Sequence, residues 1–184
     1  MLRVLTILFI LIFYNPVFSF TKEKIISQIQ HTNNLSFKFI QTINNKKENG
    51  ECIIQYPKKI WCKYENYNKK IIVSNGKSLV IKTSNKGSYY RYPLAKTPLI
   101  FLLDKEYLIS KINILEPIKV DDKYLNFKFF ENNSEINIFF DKENLKLVGW
   151  QTEDIYQNSA TTFLSSVKIN KKIDSKIFIL PRGD

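Results

Sequence analysis

Apolar and polar side chains alternate along most of the chain between residues 35 and 169. Phe37 and Phe39, for example, flank Lys38, and the period of two recurs in later segments. Because successive side chains of a strand point to opposite faces, this pattern predicts about ten short strands with one apolar and one charged face. The tight turns between them, such as Asn75-Gly76, are typical of hairpins. We therefore expect a mainly β (α+β) fold with one strongly curved antiparallel sheet.

One apolar run in the middle of the chain does not alternate. Thr97-Pro98 precedes five consecutive apolar residues, Leu99–Leu103, and this order predicts a short helix that is apolar on nearly every side. A helix without a polar face must be covered on most sides. We therefore expect the sheet to curve around this helix.

Two further helices and one long turn are predicted. Thr21 can cap an amphipathic helix that runs to Asn33. A weaker helical segment at residues 107–111 is followed by a predicted strand at residues 112–120. Residues 44–50 are polar and predict a turn.

The first nineteen residues resemble an export signal. Met1-Leu2-Arg3 is a short basic segment, residues 4–13 are mostly apolar, and Asn15-Pro16 breaks that run. The run is shorter than the ~20 residues that span a bilayer, although an uncleaved anchor is the alternative. We predict a signal peptide at residues 1–19 and a single domain at residues 20–184.

The chain has 184 residues and a formal net charge of +11. Its lysines are scattered among the strands, as expected of a solvated outer face of the sheet, and no block of basic residues stands out. The alternative interpretation is attraction to an anionic membrane surface or to an acidic partner.

Cys52 and Cys62 lie on either side of the turn at residues 56–59, and the alternation places both on the inward face of their predicted strands. A disulfide between them is geometrically conceivable in an exported protein, and two small buried apolar residues are the alternative. His31 is the only histidine, so a zinc site is not expected.

The sequence contains no motif that requires catalysis. No phosphate loop, dinucleotide loop or nucleophile pattern is found, and carboxylates such as Asp141 and Glu143 fall in predicted turns. Residues 89–92, with the sequence Tyr-Tyr-Arg-Tyr, could stack on single-stranded nucleic acid, but an ordinary strand explains them better. We predict no enzyme activity, no cofactor, no metal and no nucleic-acid partner.

Several motifs stand in a fixed order along the chain, and the most specific is the hairpin Val73-Ser74-Asn75-Gly76-Lys77-Ser78-Leu79. The others are Phe39-Ile40-Gln41, Gly50, Tyr56-Pro57, Thr97-Pro98 with Leu102-Leu103, Asp141, Gly149-Trp150, Thr162-Phe163, Asn170 with Ile173-Asp174, and Phe178 with Pro181-Arg182-Gly183. Together and in this order, these motifs resemble the periplasmic lipoprotein carrier family, LolA.

This resemblance implies an unclosed half-barrel covered by a helical lid and by the N-terminal helix. The hollow would shield the acyl chains of lipoproteins in the periplasm. The chain would then be a monomer that receives acylated lipoproteins from an inner-membrane ABC complex and delivers them to an outer-membrane acceptor. A periplasmic lipid-binding or sensor module without transport activity is the alternative.

The resemblance and the strand parity together indicate which residues would form the site. The lid would consist of Ile25, Ile26, Ile29, Leu99, Ile100, Phe101, Leu102 and Leu103. The cavity wall would consist of Phe37, Phe39, Ile54, Tyr56, Ile60, Cys62, Tyr64, Leu79, Ile81, Leu125, Phe127, Phe129, Ile136, Ile138 and Phe140.

The chain departs from the family at the position that latches the lid. The family has an arginine just before the proline of the turn at residues 56–59, where this chain has Tyr56. Tyrosine can donate one hydrogen bond but carries no charge. The family's aromatic residue after that proline corresponds to Cys62, with Trp61 shifted by one place.

Overall fold

The structure is a computed structural model and describes residues 17–66, 68–84, 87–120, 122–153 and 157–183. The predicted signal peptide lies outside the described residues except at residues 17–19, which belong to helix α1, Val17–Gln30. Among the described residues, no helix is long and apolar enough to cross a membrane.

The described chain forms one antiparallel sheet of eleven strands, which confirms the predicted fold class. The strands are β1 Asn34–Ile43, β2 Lys46–Gln55, β3 Lys59–Tyr64, β4 Lys70–Asn75, β5 Ser78–Thr83, β6 Tyr89–Pro93, β7 Ile118–Val120, β8 Tyr124–Glu131, β9 Ser134–Asp141, β10 Leu147–Glu153 and β11 Ser159–Ile169.

The strand order places the first strand in the middle of the sheet. From β1 the chain runs outward through successive hairpins to β6 at one edge, and β7 to β11 return from the other edge until β11 pairs with β1. The edge strands β6 and β7 do not pair with each other, so the barrel is not closed.

The connection between the two edges is helical. It consists of a 3-10 turn, Leu94–Lys96, helix α2, Leu99–Leu103, and helix α3, Lys105–Ile114. Leu103 and Ile112 in these helices are completely buried among the inward side chains of the strands. The connection therefore packs on the concave face of the sheet.

Two lysines fasten α1 to α3. Lys22 Nζ donates to the carbonyl oxygens of Asn113 and Leu115, at 3.3 and 3.2 Å, and pairs with Glu116 at 2.7 Å. At the other end, Lys105 Nζ donates to the carbonyl oxygens of Gln30 and Thr32 at 3.1 and 3.3 Å. Each cation thus satisfies carbonyl groups that a helix end leaves unpaired.

Three local predictions are wrong. The turn after β1 is only Asn44-Asn45, because both residues adopt positive φ (49° and 63°) and form a two-residue hairpin, so β2 already begins at Lys46. The predicted strand at residues 112–120 is shortened to β7, because α3 continues to Ile114. Thr21 lies inside α1 and does not cap it.

The convex face is not entirely solvated. Val73 and Val80 are paired neighbours on β4 and β5, and both are buried although they point away from the concave side. The 3-10 turn Ser175–Phe178 packs on β3 and β4, and Phe178 is itself buried. The C-terminal segment therefore forms a small second layer outside the sheet.

A glycine in β2 allows one aromatic ring to pack on the sheet. A Cβ atom at Gly50 would lie 2.2 Å from the Lys63 carbonyl oxygen and 2.8 Å from the Phe39 ring. We expect Gly50→Ala to lower the free energy of unfolding in urea by about 1–3 kcal/mol, since the backbone must shift. Gly183→Ala is the control, because its Cβ would lie 3.5 Å from the Tyr89 ring, an ordinary contact. Equal stability of the two variants would contradict this prediction.

Candidate functional site

A cavity of about 320 Å³ lies on the concave face, between strands β1 to β6, β10 and β11 and the start of α2. Six of the predicted wall residues line it: Phe39, Ile60, Cys62, Tyr64, Leu79 and Ile81. They come from three strands, β1, β3 and β5, and each points inward because the strands alternate.

The cover of this cavity is only the beginning of the predicted lid. Thr97, Pro98 and Leu99 line the cavity, whereas Leu102 and Leu103 are buried in the packed core. Thr97 Oγ1 donates to the Leu94 carbonyl oxygen at 2.8 Å, which fixes the approach to α2. The first turn of α2 therefore covers the hollow, and its last turn belongs to the core.

The other predicted wall residues lie elsewhere. A filled core contains Phe37, Ile54, Leu125, Phe127, Phe129, Ile136 and Ile138, all of which are buried. Tyr56, Phe140 and the lid residue Ile29 line a second cavity of about 500 Å³ between α1 and the ends of β1, β9, β10 and β11. Ile25 is fully buried, and Ile26, Ile100 and Phe101 pack against the core.

One side of the first cavity is polar. Tyr64 Oη donates to Gln41 Oε1 at 2.9 Å, and Gln41 Nε2 donates to Thr162 Oγ1 at 3.0 Å. Lys70 pairs with Glu48 and also lies 3.8 Å from the centre of the Tyr64 ring. Burial above all, then the negative charge of Glu48, raises the pKa of Tyr64, so its hydroxyl stays protonated. The polar side of the cavity therefore contains the ion pair of Lys70 with Glu48 and a series of hydrogen bonds through Tyr64, Gln41 and Thr162.

The sequence pattern does not identify most of these polar residues as part of the cavity wall. Gln41 lies two residues after Phe39 on β1, so strand alternation places both on the same inward face and could have identified Gln41. Thr162 and Lys70 gave no such signal, because a polar residue on a strand ordinarily points to solvent. Trp150 and Ile72 also line the cavity and were missed.

Cys52 and Cys62 lie opposite each other in the β2–β3 register and are joined by a disulfide. Both side chains line the first cavity. The disulfide ties β2 to β3 across the floor of the hollow.

The ionic contact with the lid comes from Lys58, two residues after the expected position. The backbone N–H of Lys58 donates to the Leu103 carbonyl oxygen at 2.9 Å, and Lys58 Nζ pairs with Asp104 Oδ2 at 3.0 Å. Asp104 also caps α3 by accepting from the Tyr107 N–H at 3.2 Å. The turn between β2 and β3 is thus fastened to the junction of α2 and α3.

Tyr56 makes different contacts. Its N–H donates to the Asn33 carbonyl oxygen at 3.0 Å, and Lys105 Nζ lies 5.8 Å from the centre of its ring. Burial raises the pKa of Tyr56 to about 12. The residue therefore packs beside the helices as a neutral phenol.

Within the described parts of the chain, no group of three or more His, Cys, Asp or Glu side chains is placed to hold a metal ion. The cavity has the size of a small-molecule site, and its lining is suited to an apolar ligand that carries a polar group.

We expect Lys58→Met to loosen α2. The pair of Lys58 and Asp104 is 41% and 28% exposed, so its loss should cost about 0.2–1 kcal/mol. Amide hydrogen exchange at residues 99–103 should then be up to about fivefold faster. Lys142→Met is the matched control, because it removes the Lys142–Asp122 pair outside the lid. A larger effect of Tyr56→Phe than of Lys58→Met would contradict this assignment.

Alkaline titration should reveal the burial of Tyr56. The phenol of the unfolded chain ionises near pH 10 and that of the folded chain near pH 12. The contribution of the neutral Tyr56 phenol to the free energy of unfolding is therefore complete below pH 10 and is lost as the pH rises towards 12. At about pH 11 the loss should be about 1 kcal/mol. Unfolding free energies of Tyr56→Phe should fall less steeply with pH than those of the parent, and parallel curves would contradict the burial.

Solved structures with a similar fold come from diverse bacterial proteins. An uncharacterized conserved protein from Thermus thermophilus aligns with a TM-score of 0.52 at 6% identity, over 87% of this chain and 94% of that one. MucB aligns with a TM-score of 0.51 at 6% identity, over 92% of this chain and 65% of that one. A LolA superfamily protein from Nitrosomonas europaea aligns at 0.43 with 10% identity, over 87% and 98%. At 6% identity, the likeness to the first two shows the fold alone.

No curated protein matches the sequence. Residues 30–180 match the family described as "Outer membrane lipoprotein carrier protein LolA". The match begins at the last residue of α1 and includes all eleven strands, α2 and α3. The chain therefore belongs to the LolA family.

Proposed function

We propose that this protein is a periplasmic carrier that holds the acyl chains of lipoproteins in the first cavity and moves them from the inner to the outer membrane. The observation that carries the proposal is the hollow of about 320 Å³ beneath the first turn of α2. Each methylene that leaves water there contributes ~0.8 kcal/mol. An exposed acyl chain would otherwise partition into the nearest bilayer.

The weak fastening of the lid suits a carrier that must release its cargo. The ion pair between Lys58 and Asp104 is partly exposed, and such pairs contribute about 0–1 kcal/mol. Only the first turn of α2, where Leu99 is half-buried, is lightly held, and this turn can open to admit a chain and open again when a stronger acceptor competes. Tight enclosure would favour storage over transfer.

The polar side of the cavity suits the head of an acylated molecule. Gln41, Thr162 and the Tyr64 hydroxyl offer hydrogen-bonding atoms beside the apolar lining. An ester or amide group that joins acyl chains to a protein could bind there, while the chains lie against Leu79 and Ile81.

The proposal also includes export, oligomeric state and partners. The protein would be exported by the signal peptide at residues 1–19 and would act as a monomer without catalytic activity. It would receive cargo from an inner-membrane ABC lipoprotein-releasing complex and pass it to an outer-membrane acceptor. The domain that does this would span residues 20–184.

The proposal is tested by mixing the purified protein with a triacylated lipoprotein in detergent and then removing the detergent. A carrier should keep the lipoprotein soluble as a one-to-one complex in gel filtration. Precipitation of the lipoprotein in the presence and absence of the protein alike would refute the assignment of cargo.

Filling the cavity should abolish this activity. Ile81 lines the hollow and is half-buried, so Ile81→Trp should occupy the space of the acyl chain and reduce the soluble complex at least about tenfold. Ile40→Trp is the matched control, because Ile40 is 53% exposed on the other face of the sheet. If both variants retain full activity, the chains do not bind in this cavity.

A lipid-binding or sensor module without transport is the alternative function. A patch of apolar side chains on the convex face favours it: Phe163 stacks on Phe139 at 5.8 Å, packs near Tyr124 at 5.9 Å and pairs across strands with Ile40. Phe163 is 41% exposed. Saturable binding of a hydrophobic dye, competed by fatty acid, without any soluble lipoprotein complex would support this alternative.

A further inference from the structure

The second cavity has an apolar lining that is partly open to solvent. Its volume is about 500 Å³, within the ~300–1,000 Å³ of small-molecule sites. Ile29, Leu35, Leu108 and Phe140 form its buried side. Val167 and Ile169 at the end of β11 also line it, and they are 39% and 52% exposed. Large apolar side chains exposed beside a cavity indicate a surface that an apolar ligand would cover.

The rim of this cavity is basic. Lys24 on α1, His31 just after α1 and Lys146 just before β10 belong to the lining, and all three are exposed. No carboxylate is present among the described lining residues. The nearby carboxylate of Asp141 accepts the N–H groups of Glu143 and Asn144 within its own turn. The described lining residues therefore carry a net positive charge, from Lys24 and Lys146.

The two cavities differ in charge, and their described lining residues do not overlap. In the first, Lys70 pairs with Glu48, and Glu153 adds a second carboxylate, which accepts from Ser134 Oγ at 3.0 Å. In the second, the charged residues among the described lining are all basic. A neutral head group suits the first cavity, and an anionic head group suits the second.

Fixed local bonds hold the rim of the second cavity in place. His31 Nδ1 lies 2.7 Å from the Ser27 carbonyl oxygen, which only accepts, so Nδ1 carries the proton. Gln28 Nε2 donates to the Asn144 carbonyl oxygen at 3.3 Å and joins α1 to the turn before β10. The cavity is bounded by fastened elements on both sides.

We propose that the second cavity binds a free fatty acid, with the hydrocarbon chain against the apolar lining and the carboxylate at Lys24 and Lys146. The concave shape favours a single molecule that enters over attachment to a membrane surface. The site does not depend on the first cavity, so either can be occupied when the other is blocked.

The first test compares a fluorescent polyene fatty acid with its methyl ester, whose chain is the same but whose head is neutral. The acid should bind the purified protein about tenfold more tightly, because only the acid can pair with the basic rim. Its affinity should fall with added salt, since exposed charges are screened. Equal affinities for acid and ester would overturn the proposal.

Charge reversal identifies the rim. Lys24→Glu combined with Lys146→Glu should weaken binding of the acid about tenfold or more and leave binding of the ester unchanged. The control is Lys38→Glu with Lys63→Glu, which makes the same change of net charge at exposed positions on β1 and β3. If the control pair weakens binding equally, the effect is one of overall charge and the assignment fails.

Large side chains at chosen positions locate the bound ligand. Ser27 is exposed on α1 and lines the second cavity, whereas Gln30 is exposed on the same helix outside the lining. Ser27→Trp should abolish binding of the acid, and Gln30→Trp and Ile81→Trp should not. Loss of binding only in Ile81→Trp would place the acid in the first cavity and overturn the proposal.

A vesicle experiment separates a ligand site from a membrane-binding surface. Binding of the protein to anionic vesicles without saturable binding of the monomeric acid would indicate a membrane surface and would also overturn the proposal.

Discussion

The pairing of β1 with β11 in the middle of the sheet determines the rest of the architecture. Because the first and last strands are neighbours, the chain must travel outward to β6 and then reappear at the opposite edge as β7. The segment that crosses is helical, and its apolar residues Leu103, Leu108 and Ile112 are buried against the apolar concave face. The strand order therefore brings the lid to the hollow, and the contacts of Lys58 with Leu103 and Asp104 fasten it there.

Side-chain size explains why one half of the concave face is filled and the other is hollow. Phe129 on β8 reaches α3, with its ring centre 6.2 Å from that of Tyr107, and Ile112 on α3 is fully buried among the core residues. Around β2 and β3 the inward positions include Gly50 and the disulfide of Cys52 with Cys62. The Phe39 ring fills the space over Gly50, whereas the disulfide does not reach the cover, and the space above it is part of the first cavity.

Alternation along the strands was enough to predict which face is apolar, because parity alone orients Phe39, Leu79 or Phe127. Alternation does not distinguish the inward residues that line a cavity from those of the filled core, because this depends on which inward residues a helix covers. The ion pair of Lys58 with Asp104 and the second cavity arise between segments far apart in sequence. A lysine in a turn and exposed apolar residues at a strand end have no local signature.

The free energies of the contacts around α2 determine which part of the lid can move. Release of the whole helix would expose Leu102 and Leu103, which are buried, at about 1.5–3 kcal/mol each. The ion pair of Lys58 is worth at most about 1 kcal/mol, so removing it alone cannot free the helix. Only the first turn, where Leu99 covers the hollow and is half-buried, can be displaced at a low cost. Admission of an acyl chain should therefore move Leu99 outward, while Thr97, Leu102 and Leu103 keep their buried positions.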